Sequence, residues 1–141
     1  MPIRHHILTL ASTAPIEFVD LTGAVRRWVG EQGVQDGLLT VSSPHTTGRI
    51  TINELDPALQ RDMVTYLERM APKDLDYGHN RATVDGRDNA HAHILGLFMP
   101  ASESIALRGG ELSLGTWQAL FFVELDGPRP TREVHLQLMH S

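Results

Sequence analysis

The segment Ala119-Leu120-Phe121-Phe122-Val123 constrains the fold more than any other. Successive residues of an extended strand point to opposite faces, so five consecutive apolar residues make both faces apolar. Such a strand needs cover on both sides. The remaining chain must supply two apolar layers from a total of 141 residues. That length reads as a single domain, 1–141. A domain of this size buries roughly 68–70% of the surface its unfolded chain exposes, so it needs no disulfide or structural metal to fold.

The flanking periodicities supply the layers. Residues 3–10 read as a strand. Leu21, Val25, Trp28 and Val29 recur at helical spacing between a cap at Asp20 and Gly33, a suitable residue just beyond a helix end. Residues 38–42 form a short buried strand, and residues 49–53 another, with Ile50 and Ile52 on one face. Asp56-Pro57 starts a helix with a side-chain cap followed by Pro at the first helical position. Leu59, Met63, Tyr66, Leu67 and Met70 form its stripe, and Pro72 closes it. Residues 71–87 are polar without period, and a stretch of that length is usually functional. Asp88 or Asn89 caps a third helix running to about Phe98. The rest reads as an antiparallel meander over 104–108, 111–114, 117–125 and 132–140, with turns at Gly109-Gly110, Gly115-Thr116 and Asp126-Gly127-Pro128. The expectation is an α+β domain with antiparallel sheets and about three helices.

Charge and composition exclude several classes. The net charge of −5 argues against a nucleic-acid binder held by a basic surface. No apolar run approaches the ~18–20 residues of a membrane span, and the first residues, Met1-Pro2-Ile3-Arg4-His5-His6, carry no apolar secretory core. The cytoplasm is the expected location. Eleven of the twelve cations are Arg, which suits forked recognition of carboxylates and phosphates. The chain has no cysteine, so any metal must sit on nitrogen and oxygen ligands.

Three regions hold residues fit for chemistry. Pro44-His45-Thr46-Thr47 lies in a turn between strands, followed by Asn53-Glu54 at the end of the second. A histidine there serves as a base or metal ligand, or the turn's hydroxyls simply satisfy its own backbone. His79 lies in the polar loop, before Asp88-Asn89-Ala90-His91-Ala92-His93. On a helix, His91 and His93 point about 200° apart, at ~100° per residue, so at most one of them serves a given site. His45, His79 and His93 brought together would make an open metal site of the catalytic type. In the C-terminal region Arg132 shares the inward parity of Val134 and Leu136 and needs a partner, with Glu124 the candidate across the turn. The pair reads as a structural ion pair, and Arg129 with Arg132 equally as a phosphate clamp. Glu124 and Gln118, next to Trp117, stand about 20 Å apart on a straight strand. They cannot line one small pocket of one subunit.

Together these segments resemble the YjbQ family of secondary thiamine-phosphate synthases. The resemblance runs from about Thr40 to Leu138. It rests on His45-Thr46-Thr47, Ile52-Asn53-Glu54, Asp56-Pro57, Asp62, Tyr77-Gly78-His79, Asp88-Asn89, Ala92-His93-Ile94 and Gly96. It continues through Leu114-Gly115-Thr116-Trp117-Gln118, Glu124, Asp126-Gly127-Pro128-Arg129 and Arg132. Leu55 stands where some relatives carry a longer insertion, and Pro130-Thr131 where many are tighter.

The resemblance implies a homotrimer that joins hydroxymethylpyrimidine diphosphate to a thiazole phosphate, releasing pyrophosphate. It implies His45, Asn53, Glu54, His79, His93 and Gln118 as catalytic residues. It implies Thr46, Thr47, Asp88, Asn89, Trp117, Glu124, Arg129 and Arg132 as substrate contacts. A divalent ion, zinc or magnesium, would sit on His45, His79 and His93, and the partner is a small phosphorylated substrate. Two other classes fit the same residues: a metal-dependent hydrolase of a small phosphorylated metabolite, and a non-enzymatic trimeric metabolite-binding module.

Overall fold

The computed structural model describes Met1–Ser141. Its strands are β1 (Ile3–Ser12), β2 (Glu17–Asp20), β3 (Gly37–Ser42), β4 (Gly48–Glu54), β5 (Ser102–Arg108), β6 (Glu111–Leu112), β7 (Gln118–Glu124) and β8 (Arg129–His140). Its helices are α1 (Thr22–Glu31), α2 (Pro57–Met70), α3 (Gly78–Arg81) and α4 (Ala90–Gly96). The strands form a five-stranded sheet, β1-β8-β3-β5-β6, and a three-stranded sheet, β2-β7-β4. All pairings are antiparallel. The α+β expectation holds, with α3 as one helical turn beyond the three helices expected.

The doubly apolar strand is the centre of the molecule. β7 is the middle strand of the smaller sheet, and its alternating residues feed two separate cores. Leu120 and Phe122 join the inner faces of the five-stranded sheet (Leu39, Val41, Leu136, Leu138) and helix α1 (Val25, Val29). Ala119, Phe121 and Val123 face the other way, against Leu67 of α2 and Ala92 and Leu95 of α4. The layers are thus large sheet, small sheet, then α2 and α4. No helix covers the outer face of the large sheet, where Glu133, His135, Gln137 and Met139 alternate with the buried residues of β8.

Local signals are mostly realised. Asp56 accepts hydrogen bonds from the N–H groups of Ala58 and Leu59, with Pro57 in the first turn, as its cap chemistry demands. Gly33 follows α1 with φ +66°, the left-handed conformation that suits glycine after a helix.

Three expectations fail for tertiary reasons, and one strand was not expected. β7 and β8 are not partners in a meander: the turn at Asp126–Pro128 carries the chain from one sheet to the other, and β8 inserts between β1 and β3. Strand β2 escapes the periodicity because it has only four residues and pairs solely with β7. In α2 only Leu67 of the apolar stripe is fully buried, since the small sheet beneath it is narrow, and Tyr66 stays exposed. Asn89 occupies the N-cap position of α4, but its side chain makes no cap bond because it is engaged elsewhere.

Candidate functional site

The turn between β3 and β4, the loop before α4 and the turn into β8 meet at one end of the two sheets. They enclose a polar cleft of about 280 Å³ with no hydrophobic residue in its lining. Of the expected residues, His45, Thr46, Thr47, Asn89, His93, Arg129 and Arg132 line it. His93 faces the cleft, whereas His91 is buried on the other side of α4, its Nδ1 without a partner. Burial and the nearby Lys73 hold the His91 imidazole below its usual range.

His45 is held in one protonation state. The backbone N–H of Glu133 donates to its Nε2 at 2.9 Å, so that nitrogen must carry a lone pair. The neutral ring then has its proton on Nδ1. Burial, with Arg132 second, lowers its pKa and opposes a second proton. Its ring stands edge-on to Phe122, at a centroid distance of 6.3 Å. His45 is thereby a neutral hydrogen-bond donor at the cleft.

The arginines are already partnered. Arg132 makes a forked pair with Glu124, Nε to Oε1 at 2.9 Å and Nη2 to Oε2 at 2.5 Å, and also donates to Thr47 Oγ1 at 3.0 Å. Ser12 Oγ donates to the same carboxylate at 2.6 Å. Burial pushes the Glu124 carboxyl up, but the bonds from Arg132 and Ser12 outweigh it and hold the group below the usual range. Glu124 is 0% exposed. The substrate-contact role expected for it is therefore corrected: its oxygens are used up inside the protein, and it ties β7 to β8 across the two sheets.

Asp126 is a second hub. Arg87 Nε, Asn89 Nδ2 and Arg129 Nη2 all donate to its Oδ2, at 2.9, 2.9 and 2.8 Å. Burial raises the carboxyl, yet these three partners take its pKa down to about 2. Arg87 and Asp85 of the loop were missed by sequence reasoning, because a polar loop without period gives no cue to which of its charges turn inward. Asp88, expected at the substrate, is exposed and outside the cleft lining.

His79 does not enter the polar cleft. It lines a neighbouring cavity of about 330 Å³ with Tyr77, Ile94 and, again, His93. The His79 and His93 rings meet edge-on with centroids 5.0 Å apart. The expected His45/His79/His93 ligand set does not assemble. No group of three or more His, Asp or Glu in the chain is arranged to hold a metal ion. The reason is spatial, since His45 and His79 line different cavities, and the lone pair on Nε2 of His45 is taken by Glu133 N–H. A zinc or magnesium centre on these three side chains does not fit this chain.

Asn53, Glu54, Trp117 and Gln118 lie elsewhere. Glu54 pairs with Gln118 and Asn53 with Ala119, at the opposite end of the β4–β7 ladder from Gly48 and Glu124. Six residue steps at ~3.3 Å put them about 20 Å from the cleft. Gln118 Oε1 accepts from Gly115 N–H at 2.7 Å, and Trp117 is 74% exposed. Within one chain these four are not part of the cleft.

The comparisons with known proteins agree with this architecture. The family model described as "UPF0047 protein YjbQ-like" matches residues 6–141. A UPF0047 protein of Methanothermobacter thermautotrophicus is 38% identical over 132 residues, covering 94% of this chain and 90% of the relative. The UPF0047 protein YugU of Bacillus subtilis is 34% identical over 133 residues, covering 94% and 96%. The crystal structure of a YbjQ-like protein from Sulfolobus solfataricus superposes with a TM-score of 0.92 at 30% identity, covering 99% of both chains. A hypothetical protein from Aeropyrum pernix gives 0.90 at 36% identity, covering 98% and 99%. With the family model matched over residues 6–141 and relatives above 30% identity covering nearly all of it, this chain belongs to the YjbQ/UPF0047 family.

Proposed function

We propose that the protein is a transferase acting on small phosphorylated metabolites, of the thiamine-phosphate synthase kind that the sequence resemblance implies. The observation that carries the reading is the position of His93, which lines both the wholly polar cleft and the neighbouring cavity with Tyr77 and Ile94. A reaction that joins an aromatic ring to a diphosphate-activated carbon needs two subsites of different polarity around one proton-carrying group. The polar cleft suits the departing diphosphate, and the cavity beside Tyr77 suits a ring.

The physical task is displacement at an activated primary carbon. The thiazole nitrogen forms the new C–N bond as the C–O bond to the diphosphate breaks, and pyrophosphate leaves with the electron pair. Orientation of two substrates and hydrogen bonds to the leaving oxygens are the protein's contributions. Arg87, Arg129 and Arg132 face two carboxylates, and Asp85 stands at the rim. Net charge there is close to balanced. Recognition therefore relies on directed donors, the remaining N–H groups of Arg129 and Nδ1–H of His45, more than on a positive field.

The homotrimer belongs to the same proposal. The helix-free outer face of the large sheet supports it, and so does the distance of Asn53, Glu54, Trp117 and Gln118 from the cleft. These four would contribute only across a subunit boundary.

The test is incubation of the purified protein with hydroxymethylpyrimidine diphosphate and thiazole phosphate, with and without chelator, following pyrophosphate and thiamine phosphate. Turnover is expected, reduced about 10²–10⁴-fold in His93→Ala, the usual worth of a positioned acid–base group. Absence of product at high protein concentration overturns the reading. Binding of either substrate without turnover would favour the metabolite-binding module instead.

A further inference from the structure

Asn89 was expected to touch substrate, yet it is only 3% exposed and both polar atoms of its side chain are engaged within the protein. Its Nδ2 donates to Asp126 Oδ2 at 2.9 Å, and its Oδ1 lies 3.0 Å from His79 Nε2. Its carbonyl oxygen accepts the N–H of His93 at 3.3 Å, at the start of α4. One buried residue is thus wired by its side chain to a carboxylate and to the His79 ring, and by its backbone carbonyl to the helix that carries His93.

Each step of this chain forces the next. An ionised carboxylate only accepts, so the Asn89 amide must turn its NH₂ toward Asp126. Arg87 and Arg129 on the same carboxylate keep it ionised. With the NH₂ group so placed, Oδ1 faces His79 and can only accept. The His79 Nε2 must then carry the proton. In the neutral ring, Nδ1 is left as the only acceptor, on a side chain that lines the cavity it shares with His93.

We propose that Asn89, oriented by Asp126, is a positioning residue that fixes His79 as the Nε2–H tautomer, so that Nδ1 is offered to the substrate beside His93. The proposal of a catalytic role rests on the transferase reading above, whereas the tautomer does not. A carboxylate placed directly on an imidazole orients it and also stabilises its protonated form. An amide interposed between them passes on the orientation without the charge. His45 and His79 are then complementary: the first donates from Nδ1 and the second accepts at Nδ1, while His93 makes no hydrogen bond to either.

The experiment is two-bond ¹H–¹⁵N correlation spectroscopy of the full-length protein with ring-labelled histidines, at a pH where the rings are neutral. His79 is identified by the signal lost in His79→Gln. The wild-type spectrum should show His79 protonated on Nε2 and bare on Nδ1. Asn89→Leu should release it to the mixture of tautomers of a free imidazole. Asp126→Asn should disturb it too, although residue 126 makes no hydrogen bond to the ring, because the amide of Asn89 is then free to invert. Asn89→Asp keeps the acceptor and should retain the Nε2–H pattern.

In the transferase assay, Asn89→Leu should lower kcat about 10–100-fold, the effect seen when a metal-bound histidine loses its outer partner, with little change in KM. A wild-type His79 protonated on Nδ1, or already a mixture, overturns the proposal without any variant having to fold. So does an unchanged pattern in a folded Asn89→Leu protein. If the fixed tautomer is found but no turnover occurs, the positioning pair stands and the transferase reading falls.

Discussion

Asp126 and Glu124 do different work although both are carboxylates paired with arginine, the first half-buried and the second fully buried. Asp126 is a pH-dependent tie. Its pKa falls from an ordinary 3.8 to about 2, so its stabilisation is complete above the unfolded value and is lost as pH falls from 3.8 toward 2. At ~1.4 kcal/mol per pKa unit this comes to about 2 kcal/mol. Denaturant midpoints of wild type and Asp126→Asn should converge over that window and differ above it. Glu124 is a tie between sheets. Replacing it with Gln leaves Arg132 charged and buried, which costs about 3–5 kcal/mol. A fall in thermal midpoint of only a degree or two would contradict that account. His45 and His91 add a milder acid sensitivity. Both have lowered pKa values, so the unfolded chain takes up their protons first and stability declines as pH drops below about 6.5.

Among the elements, α2 and the β3–β4 turn show how local chemistry and packing divide the labour. The α2 helix buries little, so its start depends on its cap. Asp56→Ala should cost about 1 kcal/mol, read as a shift in unfolding midpoint. Gly48 opens β4 beneath the ring of Phe122, and a Cβ built there collides with that ring's outer edge. Because Phe122 is fully buried and fixed, Gly48→Ala should destabilise by about 1–3 kcal/mol. The same crowding would disturb His45, which rests edge-on against Phe122 three residues away. The loop between α2 and α4 shows the opposite balance. It has little apolar content, and hydrogen bonds from Arg87 and Asn89 to Asp126 hold its last residues to the β7–β8 turn.

At the scale of the molecule, β7 joins two cores through one backbone. Phe121 belongs to the helix side and Phe122 to the sheet side, and both are fully buried. Phe121→Ala and Phe122→Ala should each cost about 3–5 kcal/mol, and unfolding should remain a single transition because neither core can lose β7 alone. Separate transitions in either variant would show the layers to be independent. The proposed assembly makes a further demand. Inactive His93→Ala and Glu54→Ala subunits, unfolded and refolded together, should regain transferase activity if the far cluster completes a neighbour's cleft. No recovery in mixed oligomers would confine the site to one chain.

The strand with two apolar faces, the Asp56-Pro57 helix start, the rule that the two helical histidines cannot share one site and the inward charge of Arg132 were legible from residue order. Each depends on a period or a local hydrogen bond that a few neighbouring residues determine. The path of the chain after Asp126 was not, because whether a turn pairs two strands or carries the chain to another sheet depends on what lies above and below it. Nor was the fate of the polar groups. His45 as an obligate donor and Asn89 as an orienter follow from partners 10 to 88 residues away, and the bond that Ser12 adds to Glu124 spans 112 residues. Hydrophobic period is a short-range property of the chain, and hydrogen-bond pairing is a property of the space it folds into. The alternating pattern accordingly determined the layers by itself, while only the tertiary structure decided which imidazole gives a proton and which receives one.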